Sequence, residues 1–150
     1  MRLVGIDPGA TGALVMLQDR EPIEWVMMPT IQVGTSTRVN AAGIANWLKV
    51  CDPHHVYIER VGPMPKQGVT STFNFGHSVG TIMGVVAALE IPHTLVDPKA
   101  WKKAAGLIGT DKDASRARAL QMWPNWRDLD KKARGQAYAD AAFIALVGKP

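Results

Sequence analysis

Met1-Arg-Leu-Val-Gly-Ile-Asp-Pro-Gly-Ala-Thr-Gly12 is the stretch around which the chain is organised. Leu3, Val4 and Ile6 form a short apolar run, the pattern of a buried strand. The run ends on Asp7 and breaks at once into Pro8-Gly9. A carboxylate at the tip of a central strand is costly unless paired, so Asp7 calls for a cation. Pro8, Gly9 and Gly12 turn the chain and leave its backbone bare enough for a phosphate or metal to come close. The competing reading is a turn aspartate that caps its own loop. Two further acids, far along the chain, weigh against it.

The 150 residues are 47% hydrophobic, which suits one globular domain over residues 1–150 with a sizeable core. No apolar run is long enough to span a bilayer, and the first residues enter a strand with no signal peptide. A cytoplasmic protein without membrane contact is expected. The single cysteine, Cys51, excludes an internal disulfide and a cysteine-rich zinc site, and reads as a small hydrophobe near a helix end. The net charge of +4 is unevenly spread. Residues 1–98 carry six Lys and Arg against eight Asp and Glu, whereas residues 99–150 carry eleven against five. A basic C-terminal part points to a polyanionic partner, although a merely solvated face has the same composition.

Outward from the first strand, Gly12-Ala-Leu-Val-Met-Leu17 and Ile23-Glu-Trp-Val-Met-Met28 follow after short turns. Three strands so joined form an antiparallel meander. Residues 30–38 read as a loop. Ala41, Ile44, Ala45, Trp47 and Leu48 recur at helical spacing until Asp52-Pro53. Val56-Tyr-Ile-Glu59 is the next strand, with a second acid at its end, and a Gly- and Pro-rich loop carries Lys66 and Gln67. An ion pair of Glu59 with Arg60 or Lys66 is its structural alternative; Arg60, a strand neighbour, points to the opposite face.

A long helix is predicted over 72–89. Gly76, Gly80 and Gly84 line one face of it, which implies another backbone nearby, either the sheet or a second subunit. Phe73 and Phe75 read as core or as stacking partners for bases. His93-Thr-Leu-Val96 is the fifth strand, and Asp97-Pro98 starts a short helix bearing Lys99, Lys102 and Lys103. A second basic helix covers 112–122 with Arg116 and Arg118. Gly135 precedes a last helix whose apolar face is Ala139, Ala142, Phe143 and Leu146, and Asp140 stands among its alanines.

This order predicts an α/β ribonuclease H-like fold: a five-stranded mixed sheet, three strands in a meander and two parallel, flanked by helices. The local motifs are Gly5-Ile-Asp-Pro-Gly-Ala-Thr-Gly12, Ile58-Glu59, Phe73-Asn-Phe-Gly76, Pro98 to Lys103, Lys112-Asp-Ala-Ser-Arg116 and Ala139-Asp-Ala141. In order and spacing they resemble the RuvC family of Holliday-junction resolvases, closest to its shorter, phage-type members. The resemblance implies a homodimeric endonuclease in a bacterial or phage-infected cytoplasm, cutting four-way or branched DNA to 5′-phosphate and 3′-hydroxyl ends. Two hard divalent ions can neutralise the phosphate, activate a water and stabilise the leaving oxygen. Asp7 would bridge two Mg²⁺ (or Mn²⁺), flanked by Glu59 and Asp140, with Lys112 on the scissile phosphate. Arg60, Lys66, Gln67, Phe73, Phe75, Lys99, Lys102, Lys103 and Arg116 are the further DNA-contact candidates, and Gly76, Gly80 and Gly84 the dimer seam.

One position departs from the family pattern. RuvC proteins usually carry another Asp or a His about one helical turn before the last acid, where this chain has Gly135, Gln136 and Ala137. Asp128, Asp130 or a water are the candidate replacements, and an engineered removal would read the same way. The gap opens a second function, a junction-binding module that has lost its metal site. A third, an actin-like kinase domain, shares the fold and an Asp/Gly/Thr loop. It needs a second such domain and nucleotide signatures that the chain does not show.

Overall fold

The computed structural model describes residues 1–147. Its first three strands, β1 (Arg2–Asp7), β2 (Ala13–Gln18) and β3 (Glu21–Met27), form the expected antiparallel meander. The turn after β1 needs its glycines. Gly9 takes a φ of +111°, and a Cβ on Gly12 would stand 1.9 Å from the Asp7 carbonyl oxygen. Pro22 is tolerated because β3 is an edge strand, where a missing N–H breaks no ladder.

Residues 30–38, expected as a loop, are instead most of a separate hairpin, β4 (Thr30–Val33) with β5 (Ser36–Val39). Gly34 turns it at a φ of +61°. Four-residue strands of Thr, Ser, Gln and Val carry too little alternation to stand out from a polar loop. The helix α1 (Ala41–Cys51) follows; the Asn40 side chain accepts from the Gly43 N–H at 3.2 Å and caps it. Cys51 is buried at its end.

β6 (His55–Glu59) lies parallel to β1, and β7 (His93–Val96) lies parallel to β6, so the five strands run β3-β2-β1-β6-β7. Between them runs α2 (Val69–Ala88), a turn longer at its start than expected. Then come α3 (Pro98–Ala104), α4 (Ala114–Met122), a 3₁₀ turn Arg127–Asp130 and α5 (Lys132–Leu146). α1 and α2 cover one face of the sheet, where Val4, Ile6, Leu14 and Ile58 pack with Ile44, Leu48, Ile82 and Val86. On the other face Ala13, Val15 and Leu17 meet α5, Trp101, Trp123 and Trp126.

Two expectations about α5 are corrected. Gly135 lies inside the helix, not before it, because a Cβ there would stand 2.5 Å from the Leu129 carbonyl oxygen. The close approach of the 3₁₀ turn outweighs glycine's poor helix propensity. Nor is α5 buried along one stripe: Gly135, residues 137–139 and residues 141–145 are all buried. Alanine is small enough for this helix to sit between the sheet and α4. The glycines of α2 behave differently. Gly76, Gly80 and Gly84 are exposed, and a Cβ at any of them would meet nothing within 4 Å, so they do not face the sheet. Among the described residues no helix is long and apolar enough to cross a membrane.

Candidate active site

Three elements carry the acids to one place. β1 and β6 are parallel neighbours with Ile6 beside Ile58, so Asp7 and Glu59 finish adjacent strands at the same end of the sheet. α5 crosses β1 at Gly5, where a Cβ would stand 1.9 Å from the Ala141 carbonyl oxygen and 2.7 Å from the Ala145 nitrogen. That close crossing brings Asp140, the residue before Ala141, to the strand ends. Neighbours then hold two of the acids. The buried Trp101 of α3 donates from Nε1 to Glu59 Oε1 at 2.9 Å. The buried Ser115 of α4 donates from Oγ to Asp140 Oδ1 at 2.5 Å. Gln136 Nε2 donates to the same Asp140 oxygen at 3.2 Å and also to Ser115 Oγ.

The three acids feel one another's charge, and none has an ion-pair partner among the described residues. Burial, then the charges of Asp140 and Glu59, hold the Asp7 carboxyl well above the usual carboxylate range. Burial also pushes Asp140 up to about 6; Glu59 adds to this, while Ser115, Gln136 and Lys102 oppose it. Among the described residues no ion pair involves any of the three. Glu59 and Asp140 share a cavity of about 450 Å³ with Lys102, Lys112, Ser115 and Gln136.

These donors suit a hard divalent cation in chemistry and charge. All three acids offer carboxylate oxygens, and Gln136 Oε1 is a buried oxygen with no hydrogen-bond partner. As the side chains stand, no three His, Cys, Asp or Glu among the described residues form a group that could hold a metal ion. Ala137, the position of the missing ligand, is buried and offers no donor. Asp128 and Asp130 do not stand in for it. Asp128 accepts from Trp25 Nε1 at 2.8 Å and Asp130 pairs with Arg127 at 2.9 Å, and neither lines the cavity of Glu59 and Asp140.

The expected DNA contacts divide. Lys102 and Lys112 line the cavity, and Lys99, Lys103 and Lys66 are exposed. Arg60 pairs with Asp97 at 2.7 Å, which leaves Glu59 to Trp101. Gln67 Oε1 accepts from the Met64 N–H at 3.2 Å and braces its own loop. Arg116 is turned into the fold: half-buried, it donates to the Leu129 carbonyl at 2.9 Å. Phe75 packs against the turn at Gly9, whereas Phe73 is 64% exposed, with the Arg38 guanidinium 5.5 Å from its ring centre.

Sequence reasoning missed Trp101, Ser115 and Gln136 as partners of the acids. Each lies in a segment already singled out, but a tryptophan, serine or glutamine becomes legible as a partner only once its acid is placed opposite.

The raised Asp140 carboxyl predicts a pH signature. Its folded-state value of about 6 exceeds the ordinary 3.8, so the folded protein holds this proton more tightly than the unfolded chain. Its stabilising contribution is full below about pH 4 and is lost as pH rises through about 6. Asp140→Asn is expected to remove that loss and stabilise the metal-free protein at pH 7 by about 3 kcal/mol. Urea melts of both proteins from pH 4 to 7 check this, and parallel pH profiles would show that Asp140 is compensated.

No protein-family model matches the chain, and no curated protein matches it. Solved structures do. The Thermus thermophilus RuvC structure matches with a TM-score of 0.62 at 18% identity, covering 98% of this chain and 92% of that one. The T. thermophilus RuvC in complex with Holliday junction substrate gives 0.62 at 19%, covering 98% and 91%. The yeast mitochondrial Holliday junction resolvase Ydc2 gives 0.46 at 15%, covering 97% and 79%. At these identities the likeness is one of architecture: the chain has a RuvC-like, ribonuclease H-like fold.

Proposed function

We propose that this chain is a divalent-metal-dependent endonuclease that cuts four-way or branched DNA, leaving 5′-phosphate and 3′-hydroxyl ends, as a homodimer of the phage type. The observation that carries the reading is the convergence of Asp7, Glu59 and Asp140, none of them ion-paired among the described residues, on a RuvC-like fold. Two Mg²⁺ ions, or Mn²⁺ in their place, held by these acids would supply charge neutralisation and an activated water. The chain's own part is to position. Trp101 and Ser115 hold Glu59 and Asp140 in place, and Lys112 and Lys102 present positive charge at the cavity wall, where a phosphate enters. Incubating the protein with a synthetic four-way junction, with and without Mg²⁺, tests the reading. Metal-dependent paired nicks support it. Binding without cutting favours the alternative of a junction-binding module, for which the buried Ala137 is the supporting observation.

The lysines of α3 give a second expected outcome. Each phosphate contact contributes about 0.9 to the slope of log affinity against log salt concentration. Replacing Lys102 and Lys103 with alanine should therefore make that slope shallower by about 2, at every sequence alike. An unchanged slope would return both lysines to a solvated surface.

The exposed glycine face of α2 suits a symmetry mate, since a C2 dimer presents two identical sites to the two symmetric strands of a junction. Gly80→Leu has open space for its side chain and replaces a poor helix former, so the fold should hold. Sedimentation should then show a folded monomer that nicks junctions without paired cuts. A variant that stays dimeric would move the seam elsewhere.

A further inference from the structure

Gln136 is an amide among carboxylates, one helical turn before Asp140, on the same cavity wall as Asp140 and Glu59. Its orientation follows from its neighbours. The single hydroxyl proton of Ser115 goes to Asp140 Oδ1, so Ser115 Oγ has only lone pairs to offer Gln136. Asp140, when ionised, also only accepts. The end of the amide that meets both is therefore nitrogen, and both contacts are to Nε2. Oε1 is left pointing away from them, buried and without any donor. Ala137, beside it in sequence, has no polar side-chain atom, and Asp128 and Asp130 are occupied elsewhere.

We propose that Gln136, through Oε1, is a neutral oxygen ligand of the cation site formed by Asp7, Glu59 and Asp140, in place of the side-chain ligand that Ala137 lacks. The inference rests on the metal-dependent reading above. Amide oxygens are ordinary ligands for hard divalent ions. A neutral ligand leaves the site with three negative charges where a fourth acid would give four. It therefore opposes two divalent ions less completely, and the second is held more weakly.

The test is calorimetric titration of MgCl₂ and of MnCl₂ into the whole protein without DNA, with thermal melts of each variant. The parent should show saturable binding that Asp7→Asn abolishes. Gln136→Met keeps the volume, removes the oxygen together with the Nε2 donor, and should weaken binding about tenfold. Gln136→Glu keeps an oxygen and adds charge; it should bind at least as tightly as the parent and gain more melting temperature from Mg²⁺. Ser115→Ala, which loses the hold on Asp140 and one of the two acceptors of Gln136 Nε2 but leaves Oε1 in place, should weaken binding less than Gln136→Met does. Should Gln136→Met fail to fold, the Glu and Ser115 variants carry the comparison. Binding by Gln136→Met equal to the parent overturns the proposal. So does Gln136→Glu binding more weakly than the parent, because the N–H contact to Asp140 would then be what matters. A parent that binds no metal, or an Asp7→Asn variant that binds it equally, overturns the metal-dependent reading itself.

Discussion

Asp7→Asn is expected to lose Mg²⁺-dependent junction cutting while melting at a higher temperature than the parent at pH 7 without metal. The two effects have one cause. Asp7 sits where burial, Asp140 and Glu59 all oppose its ionisation, so in the metal-free protein its charge is a liability to the fold. Asparagine keeps the shape and removes the charge, and stability rises. The same charge is what a pair of divalent ions would need. Its loss should lower the rate by about 10³-fold, the scale of removing one electrostatic stabiliser from an active site. Junction binding should remain, because the lysines of α3 and Lys112 are untouched. Gel-based cleavage, junction binding and a melt measured on the same preparation check all three. A variant that still cuts at the parent rate would remove Asp7 from the chemistry. One that is inactive but less stable than the parent would make Asp7 a structural residue.

Gly5→Ala is expected to cost the fold heavily for a single added methyl group. The new Cβ would stand 1.9 Å from a backbone oxygen of α5 and 2.7 Å from a backbone nitrogen, and neither is the free end of a side chain that could move aside. The helix must lift from β1, at a cost of about 3 kcal/mol or more, the upper range for overpacking. The displaced element is also the one that carries Asp140. Metal binding should therefore fall along with stability, although Gly5 itself touches no ligand. A chemical melt and a Mn²⁺ titration measure the two effects. An alanine variant as stable as the parent would mean that α5 does not cross β1 at this depth.

Much of the architecture was legible in the residues. Leu3, Val4, Ile6 and the Gly9–Gly12 turn announce a buried strand and a tight return, because an apolar run broken by Pro and Gly admits few backbone paths. The hairpin of 30–39 was not legible, since its strands are too short and too polar for alternation to show. The start of α5 lies before Gly135, against local expectation, for a different reason. Local propensity argues against glycine inside a helix, and only the Leu129 carbonyl lying against it explains its presence.

The site divides in the same way. Asp7 and Glu59 stood out because each ends an apolar strand, and Asp140 because it is the only charged side chain between Arg134 and Lys149. A charge without a partner in an apolar segment is conspicuous in one dimension. Which groups answer it is decided in three. Arg116 looked free for a phosphate and is bonded to Leu129. Trp101, Ser115 and Gln136 looked unremarkable and hold the acids. The strand-end acids, the meander and the basic C-terminal part follow from local pattern and composition, and the residues alone are enough to find them. Which donors face the acids, and which way the α2 glycines look, depends on the packing of elements far apart in the chain. Partners in a hydrogen bond are chosen by how helices cross a sheet, and here that crossing is set by the absence of one Cβ at Gly5.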